Sequence, residues 1–149
     1  RADRVQMRRV VRDLVRNAAD ALGPKGGRIL VRIRPLEMDR QGLARVLPPA
    51  VLGPGPCVAL EVQDAGCGMD ESTRARACEP FFSTHTPSRG LGLAEVVGLM
   101  GAQGGGLRVQ STPGRGTTVT LLFPVCDPAG REPHRTGSQA SSGSADFLG

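Results

Sequence analysis

The sequence predicts an α+β domain, a two-layer sandwich in which a mixed, mostly antiparallel sheet carries helices on one face. Three observations predict it. Apolar residues recur at helical spacing in some segments and alternate strictly in others. The segments run helix, strand, short helix, strand, short helix, loop, helix, strand, strand. The last two strands are joined by a short glycine turn, so the chain closes on a hairpin. A chain of 149 residues suits one domain with a tail and is long enough to bury a core. With no Trp, no Tyr and four Phe, that core must come from Val, Leu, Ile and Ala.

Residues 3–22 form the first predicted helix, with Val11, Leu14, Val15, Ala18, Ala21 and Leu22 at helical spacing and Gly23-Pro24 as its stop. RILVRIR at 28–34 alternates Ile29, Val31 and Ile33 with polar residues, as a half-buried strand does. Residues 35–56 are less regular, with a short helix within MDRQGLARVL and a Pro/Gly loop after it. VALEVQD at 58–64 is the second strand and runs straight into AGCGMD. A short helix follows at 71–77, a turn-rich loop at 80–90 and a helix at 91–103, which Gly104, Gly105 and Gly106 break. GLRVQS and TTVTLLFPV then pair across TPGRG. Residues 1–126 make the predicted domain. Residues 127–149, rich in Gly, Ser and Pro, read as a disordered tail.

Composition removes several function classes. The formal net charge is +5, but the arginines are scattered and no Tyr or Trp stacking platform accompanies them, which argues against nucleic acid. An anionic small molecule such as a nucleotide suits the same balance. Cys57, Cys67, Cys78 and Cys126 are irregularly spaced, with no CxxC pair, so neither a zinc site nor a disulfide framework is expected. Free thiols point to a reducing compartment. No apolar run is long enough to span a bilayer, so no membrane contact by this segment is expected.

Four elements carry candidate chemistry. Asp13, Asn17 and Asp20 fall at i, i+4 and i+7 on the first helix, which puts three oxygen donors of the kind magnesium takes on one stripe. The plainer alternative is surface ion pairing, Arg9–Asp13 and Arg16–Asp20. Asp64 ends a strand and is followed by Gly66 and Gly68, so a carboxylate able to accept from an exocyclic amine stands beside a backbone that a ligand can approach closely. SRGLGLAEVV places Gly90 and Gly92 at the mouth of a helix, where free amides favour phosphate, with Arg89 adding charge. PGRGTT at 113–118 is by itself a hairpin turn.

Taken in order and spacing, these segments resemble the histidine-kinase catalytic domain, one branch of a family shared with gyrase-type, mismatch-repair-type and chaperone-type ATPases. The resemblance covers about residues 3–125. LVRNAADAL is similar to the family's asparagine box, with Asn17 as its magnesium ligand. DAGCGMD resembles the first glycine box, with Asp64 reading adenine and Gly66 and Gly68 as its glycines. EPFFSTH looks like the phenylalanine box, with Phe82 and His85 in a nucleotide lid. SRGLGLA looks like the second glycine box, Arg89, Gly90, Leu91, Gly92 and Leu93 lying near the phosphates. PGRGTT resembles the final glycine turn, whose threonine, Thr117 or Thr118, sits near adenine.

The resemblance implies a Bergerat-type ATP-binding fold, ATP and magnesium as ligands, and transfer of the γ-phosphoryl group to a histidine on a separate dimerisation domain. It implies a response regulator downstream, a cytoplasmic location and a homodimeric full-length protein, which could itself be membrane-anchored. Three departures matter. Asp13 stands where many members carry a second asparagine; it can hold magnesium or, as in the related ATPases, act as a general base for hydrolysis. His85 replaces a frequent lid lysine and Ser88 a frequent glycine. A hydrolase, or a degenerate module that binds nucleotide or a partner, is therefore the alternative. Neither His85 nor His134 has the His-Glu context of a phosphoacceptor.

Overall fold

The computed structural model describes residues 4–49, 51–79 and 92–125. The expected lid at 80–90 and the tail at 127–149 lie outside the described residues. In chain order the elements are α1 (Arg4–Leu22), β1 (Ile29–Met38), α2 (Arg40–Leu43), β2 (Gly55–Asp64), α3 (Glu71–Arg76), α4 (Leu93–Ala102), β3 (Gly106–Thr112) and β4 (Gly116–Pro124). The strands form one sheet in the order β1-β2-β4-β3, and each of its three ladders is antiparallel. No parallel pair occurs among the described residues, so the expected mixed, mostly antiparallel sheet is antiparallel throughout them.

Alternation along the strands splits the sheet into two faces. Leu60 and Val62 of β2, Val119 and Leu121 of β4 and Leu107 of β3 point to the helical layer. There they pack with Val10, Leu14 and Ala18 of α1 and Val96 and Met100 of α4. The buried stripe of α1 follows i, i+4, i+8 from Val10, while Val11 and Val15 flank it half-buried. Burying each of the larger of these side chains contributes roughly 1.5–3 kcal/mol. This layer is what aligns α1 with the end of β2.

A smaller cluster sits on the opposite face. Met38, Cys57, Ala59 and Leu122 are covered there by Val46 and Leu52, which follow α2. This covering was not expected from a layout with helices on one face only. The same segment closes the β3 edge, where Leu47 and Leu107 exchange backbone hydrogen bonds of 2.8 and 2.7 Å.

Two sequence expectations change at β1. The strand continues four residues past Arg34, through Pro35 to Met38, because an edge strand tolerates a missing N–H. The alternation of Ile29, Val31 and Ile33 does not mark a half-buried face. Only Ile29 packs on the core, while Val31 is exposed and Ile33 is 69% exposed. α1 lies over β2 and leaves the margin of β1 uncovered.

Beside the smaller cluster, the same face of the sheet carries a charged row. Arg32, Glu61, Thr120 and Arg108 are register partners across all four strands. Arg34 grips Glu61 through two hydrogen bonds of 2.8 and 3.3 Å, and Arg32 lies 3.9 Å away. The hydrogen bonds from Arg34, then the charges of Arg34, Arg32 and Arg108, hold the Glu61 carboxyl below its ordinary range against the opposing effect of burial. A depressed carboxyl pKa stabilises the fold above its unfolded value of about 4.3, and that stability is lost as pH falls through the folded pKa. Glu61→Gln is therefore expected to cost about 1 kcal/mol at pH 7, with the gap to wild type closing in denaturant titrations run towards pH 3.

Candidate functional site

Asp64 ends β2 on the helical face and is 7% exposed. A carboxylate at that depth needs donors. Its Oδ1 accepts the N–H of Gly66 at 2.8 Å and the N–H of Thr117 at 3.2 Å. Its Oδ2 has no hydrogen-bond partner among the described residues. One oxygen thus fixes the loop, and the other remains an acceptor.

The loop after Asp64 is fastened at three points. The Cys67 N–H donates to the Ala21 carbonyl at 3.1 Å, and the Cys67 carbonyl accepts from Gly114 at 2.7 Å. The Met69 N–H donates to Ser111 Oγ at 2.8 Å. These contacts explain the two glycines. A Cβ on Gly66 would stand 2.5 Å from the Ala21 carbonyl oxygen. Gly68 has φ +66°, and a Cβ there would run into the Thr112 carbonyl oxygen. After the loop, Asp70 caps α3 by accepting the Thr73 N–H at 2.7 Å, which also holds its carboxyl below the usual range.

Ser111 joins this loop to the hairpin. Besides Met69, its Oγ lies 3.1 Å from the Gly116 carbonyl and 2.8 Å from Thr117 Oγ1. Of the two threonines at the final turn, Thr117 is the one bonded to Asp64; Thr118 pairs with Gln63 on the other face. Ser111 was not singled out in the sequence. Extending the core alternation of β3 and β4 towards their turn would have found it, since Ser111 faces Thr117 as Val109 faces Val119.

α1 meets the loop through Ala21, and Asn17 and Asp13 precede it at one-turn intervals on the same row. Asp13 is 4% exposed, whereas Asn17 and Asp20 are exposed. Arg9 and Arg12 approach Asp13 at 3.9 and 3.7 Å, so the expected Arg9–Asp13 pair forms with a second arginine added. Arg16 and Asp20 make no ion pair. Among the described residues no three His, Cys, Asp or Glu side chains gather as a metal site, so a cation here would need oxygen from Asn17 and from its ligand.

Gly92 is the N-cap of α4 and Leu93 its first residue. Gly92 supplies no side-chain cap to the first turn, and its carbonyl accepts the N–H of Glu95 at 3.0 Å and of Val96 at 3.2 Å. Phe82, His85, Arg89, Gly90 and Leu91 lie outside the described residues. The described part thus brings Asp64, Gly66, Gly68, Thr117 and the end of α1 together. Gly92 and Leu93 stand on a separate helix terminus.

The family described as histidine kinase-, DNA gyrase B-, and HSP90-like ATPase matches residues 2–127. The signal transduction histidine-protein kinase AtoS of Escherichia coli (strain K12) is 32% identical over 132 residues, 88% of this chain and 18% of that protein. The sensor kinase CckA of Brucella abortus (strain 2308) is 36% identical over 128 residues, 83% of this chain and 13% of that protein. The chain therefore spans less than a fifth of the length of these curated relatives. Among solved structures, the mycobacterial sensor histidine kinase MprB aligns with a TM-score of 0.55 at 30% identity, over 78% of this chain and 68% of that one.

Two glycines should respond to alanine in opposite directions. Gly68→Ala is expected to lower stability by about 2 kcal/mol or more in thermal unfolding, through its backbone angle and the Thr112 carbonyl. Gly98, exposed within α4 with nothing within 4 Å of a built Cβ, should gain roughly 0.5–1 kcal/mol from the same change.

Proposed function

The chain belongs to the histidine kinase-, DNA gyrase B-, and HSP90-like ATPase family, and from that premise we propose that it donates the γ-phosphoryl group of ATP to a histidine on a separate dimerisation domain. The observation that carries this reading is the divided carboxylate of Asp64. Its Oδ1 is saturated by two backbone donors, while Oδ2 stays available to an amine. An adenine amine supplies that donor, and the loop that presents Asp64 is held against Ala21 too closely for any residue but glycine at position 66. Relatives named as a histidine-protein kinase and a sensor kinase support the choice of a protein acceptor over water.

The residues present also fit a magnesium ion bound with the nucleotide. Asn17 would hold it with its amide oxygen, assisted by Asp13, and the ion would neutralise charge on the phosphates during transfer. The N-terminus of α4 at Gly92 and Leu93 would face phosphate, joined by Gly90, Leu91 and Arg89. Phe82 and His85 would belong to the lid that closes over them. The nucleophile comes from the partner domain, so this chain positions and screens charge rather than attacking. A response regulator then takes the phosphoryl group, and the whole protein works as a homodimer at the cytoplasmic side. No described helix is long and apolar enough to cross a membrane.

The hydrolase alternative needs Asp13 to accept a proton from water. The structure buries Asp13 and sets two guanidinium groups against it, an arrangement suited to holding charge in place. Asp13→Asn is expected to leave phosphate release by the chain alone at the wild-type rate, whereas a hydrolase would lose it.

Radiolabelled ATP and the matching dimerisation domain, supplied in trans, test the main reading. Asp64→Asn should cut label on the acceptor histidine by about 10- to 100-fold, the loss expected for a charge-assisted hydrogen bond. Undiminished labelling would contradict it.

A further inference from the structure

We propose that Ser111 is a specificity-determining residue, which fixes the Thr117 hydroxyl as an acceptor and so biases the base site towards adenine. The inference rests on the nucleotide reading above and goes beyond it.

It follows from counting protons. Ser111 and Thr117 are directly opposite in the β3–β4 ladder, with their hydroxyl oxygens 2.8 Å apart. Each hydroxyl has one proton. Ser111 Oγ already accepts the Met69 N–H at 2.8 Å and lies 3.1 Å from the Gly116 carbonyl oxygen. A carbonyl can only accept, so that contact takes the Ser111 proton. The short contact to Thr117 then requires the Thr117 proton to point back at Ser111. This is the arrangement in which every contact of Ser111 holds one proton.

Thr117 Oγ1 is left with lone pairs alone for a ligand. Its own backbone N–H is bound to Asp64 Oδ1, so the hydroxyl and the carboxylate are held together. Asp64 presents Oδ2, which as a carboxylate oxygen also only accepts. Two acceptors therefore face the base. Adenine carries an amine with two N–H groups at ring position 6, whereas guanine and hypoxanthine carry a carbonyl oxygen there. In one placement of the ring, the amine meets both acceptors and the carbonyl meets only lone pairs. Without Ser111, the Thr117 proton is released and can turn towards a carbonyl, which relaxes the choice.

The bonds at Met69 and Gly116 explain why a serine stands here rather than an apolar residue continuing the Leu107, Val109 series. Its hydroxyl ties three segments together and, through its only proton, sets the polarity of the next hydroxyl.

Calorimetry on the full chain with ADP and with IDP, both with magnesium chloride, tests this. IDP differs from ADP at position 6 and the adjacent nitrogen and lacks the second amine of guanine, so an inverted guanine pose cannot mask the effect. Wild type should prefer ADP. Ser111→Ala should lower the ADP:IDP affinity ratio by about fivefold, the size of one hydrogen bond. Ser111→Thr, which keeps the hydroxyl, should restore the ratio. Thr117→Val should lower the ratio too, and adding Ser111→Ala to it should change the ratio no further. A wild-type ratio in a folded Ser111→Ala chain overturns the proposal, even if both affinities fall together. If that variant does not fold, an unchanged ratio in Thr117→Val overturns it. Binding of neither nucleotide by wild type overturns the nucleotide reading itself, and this inference with it.

Discussion

The carboxylate of Asp64 is the joint on which the site depends. It is buried at the end of a central strand, where an unpaired charge would cost several kcal/mol. The backbone answers that cost from two directions, from Gly66 in the loop that follows and from Thr117 in the last hairpin. Those two bonds bring segments 53 residues apart in sequence into one wall. They also orient the carboxylate so that only one oxygen remains for a ligand. Loop geometry and the open second oxygen are thus consequences of the same pair of hydrogen bonds.

The surroundings enforce this arrangement. The loop touches the last turn of α1 at Ala21 and the hairpin at Gly114, and it passes Ala21 and Thr112 too closely for side chains at Gly66 and Gly68. α1 is held in register by Val10, Leu14 and Ala18 against the sheet. The row Asp13, Asn17, Ala21 therefore arrives at the loop as a rigid unit. On the other face the Arg32, Arg34, Glu61 cluster stiffens β1 against β2, the strand that delivers Asp64.

Much of this was legible in the sequence, for physical reasons that differ by element. β2, β3 and β4 were readable because alternation persists wherever one sheet face is buried. Gly23-Pro24 and Gly104 to Gly106 stop helices through backbone chemistry that needs no tertiary context. The β1 margin was misread because alternation reports the capacity for burial, and burial at Val31 and Ile33 depends on which strands α1 lies over. The covering of Cys57, Ala59 and Leu122 by Val46 and Leu52 was not foreseen, since the irregular stretch 35–56 carries no clear periodicity. Asp64, Gly66 and Gly68 stood out by residue type. Ser111 did not, because its importance comes from its partner across a ladder. Asp13 lay on the expected stripe, but its burial belongs to tertiary packing.

Base recognition by Asp64 is the central claim, and a crystal structure of the chain with a non-hydrolysable ATP analogue and magnesium tests it most directly. The adenine amine nitrogen should lie about 2.9 Å from Asp64 Oδ2, with Oδ1 still bound to Gly66 and Thr117. A nucleotide bound elsewhere, or one whose base turns a ring nitrogen or a ring C–H to Oδ2, would contradict the claim.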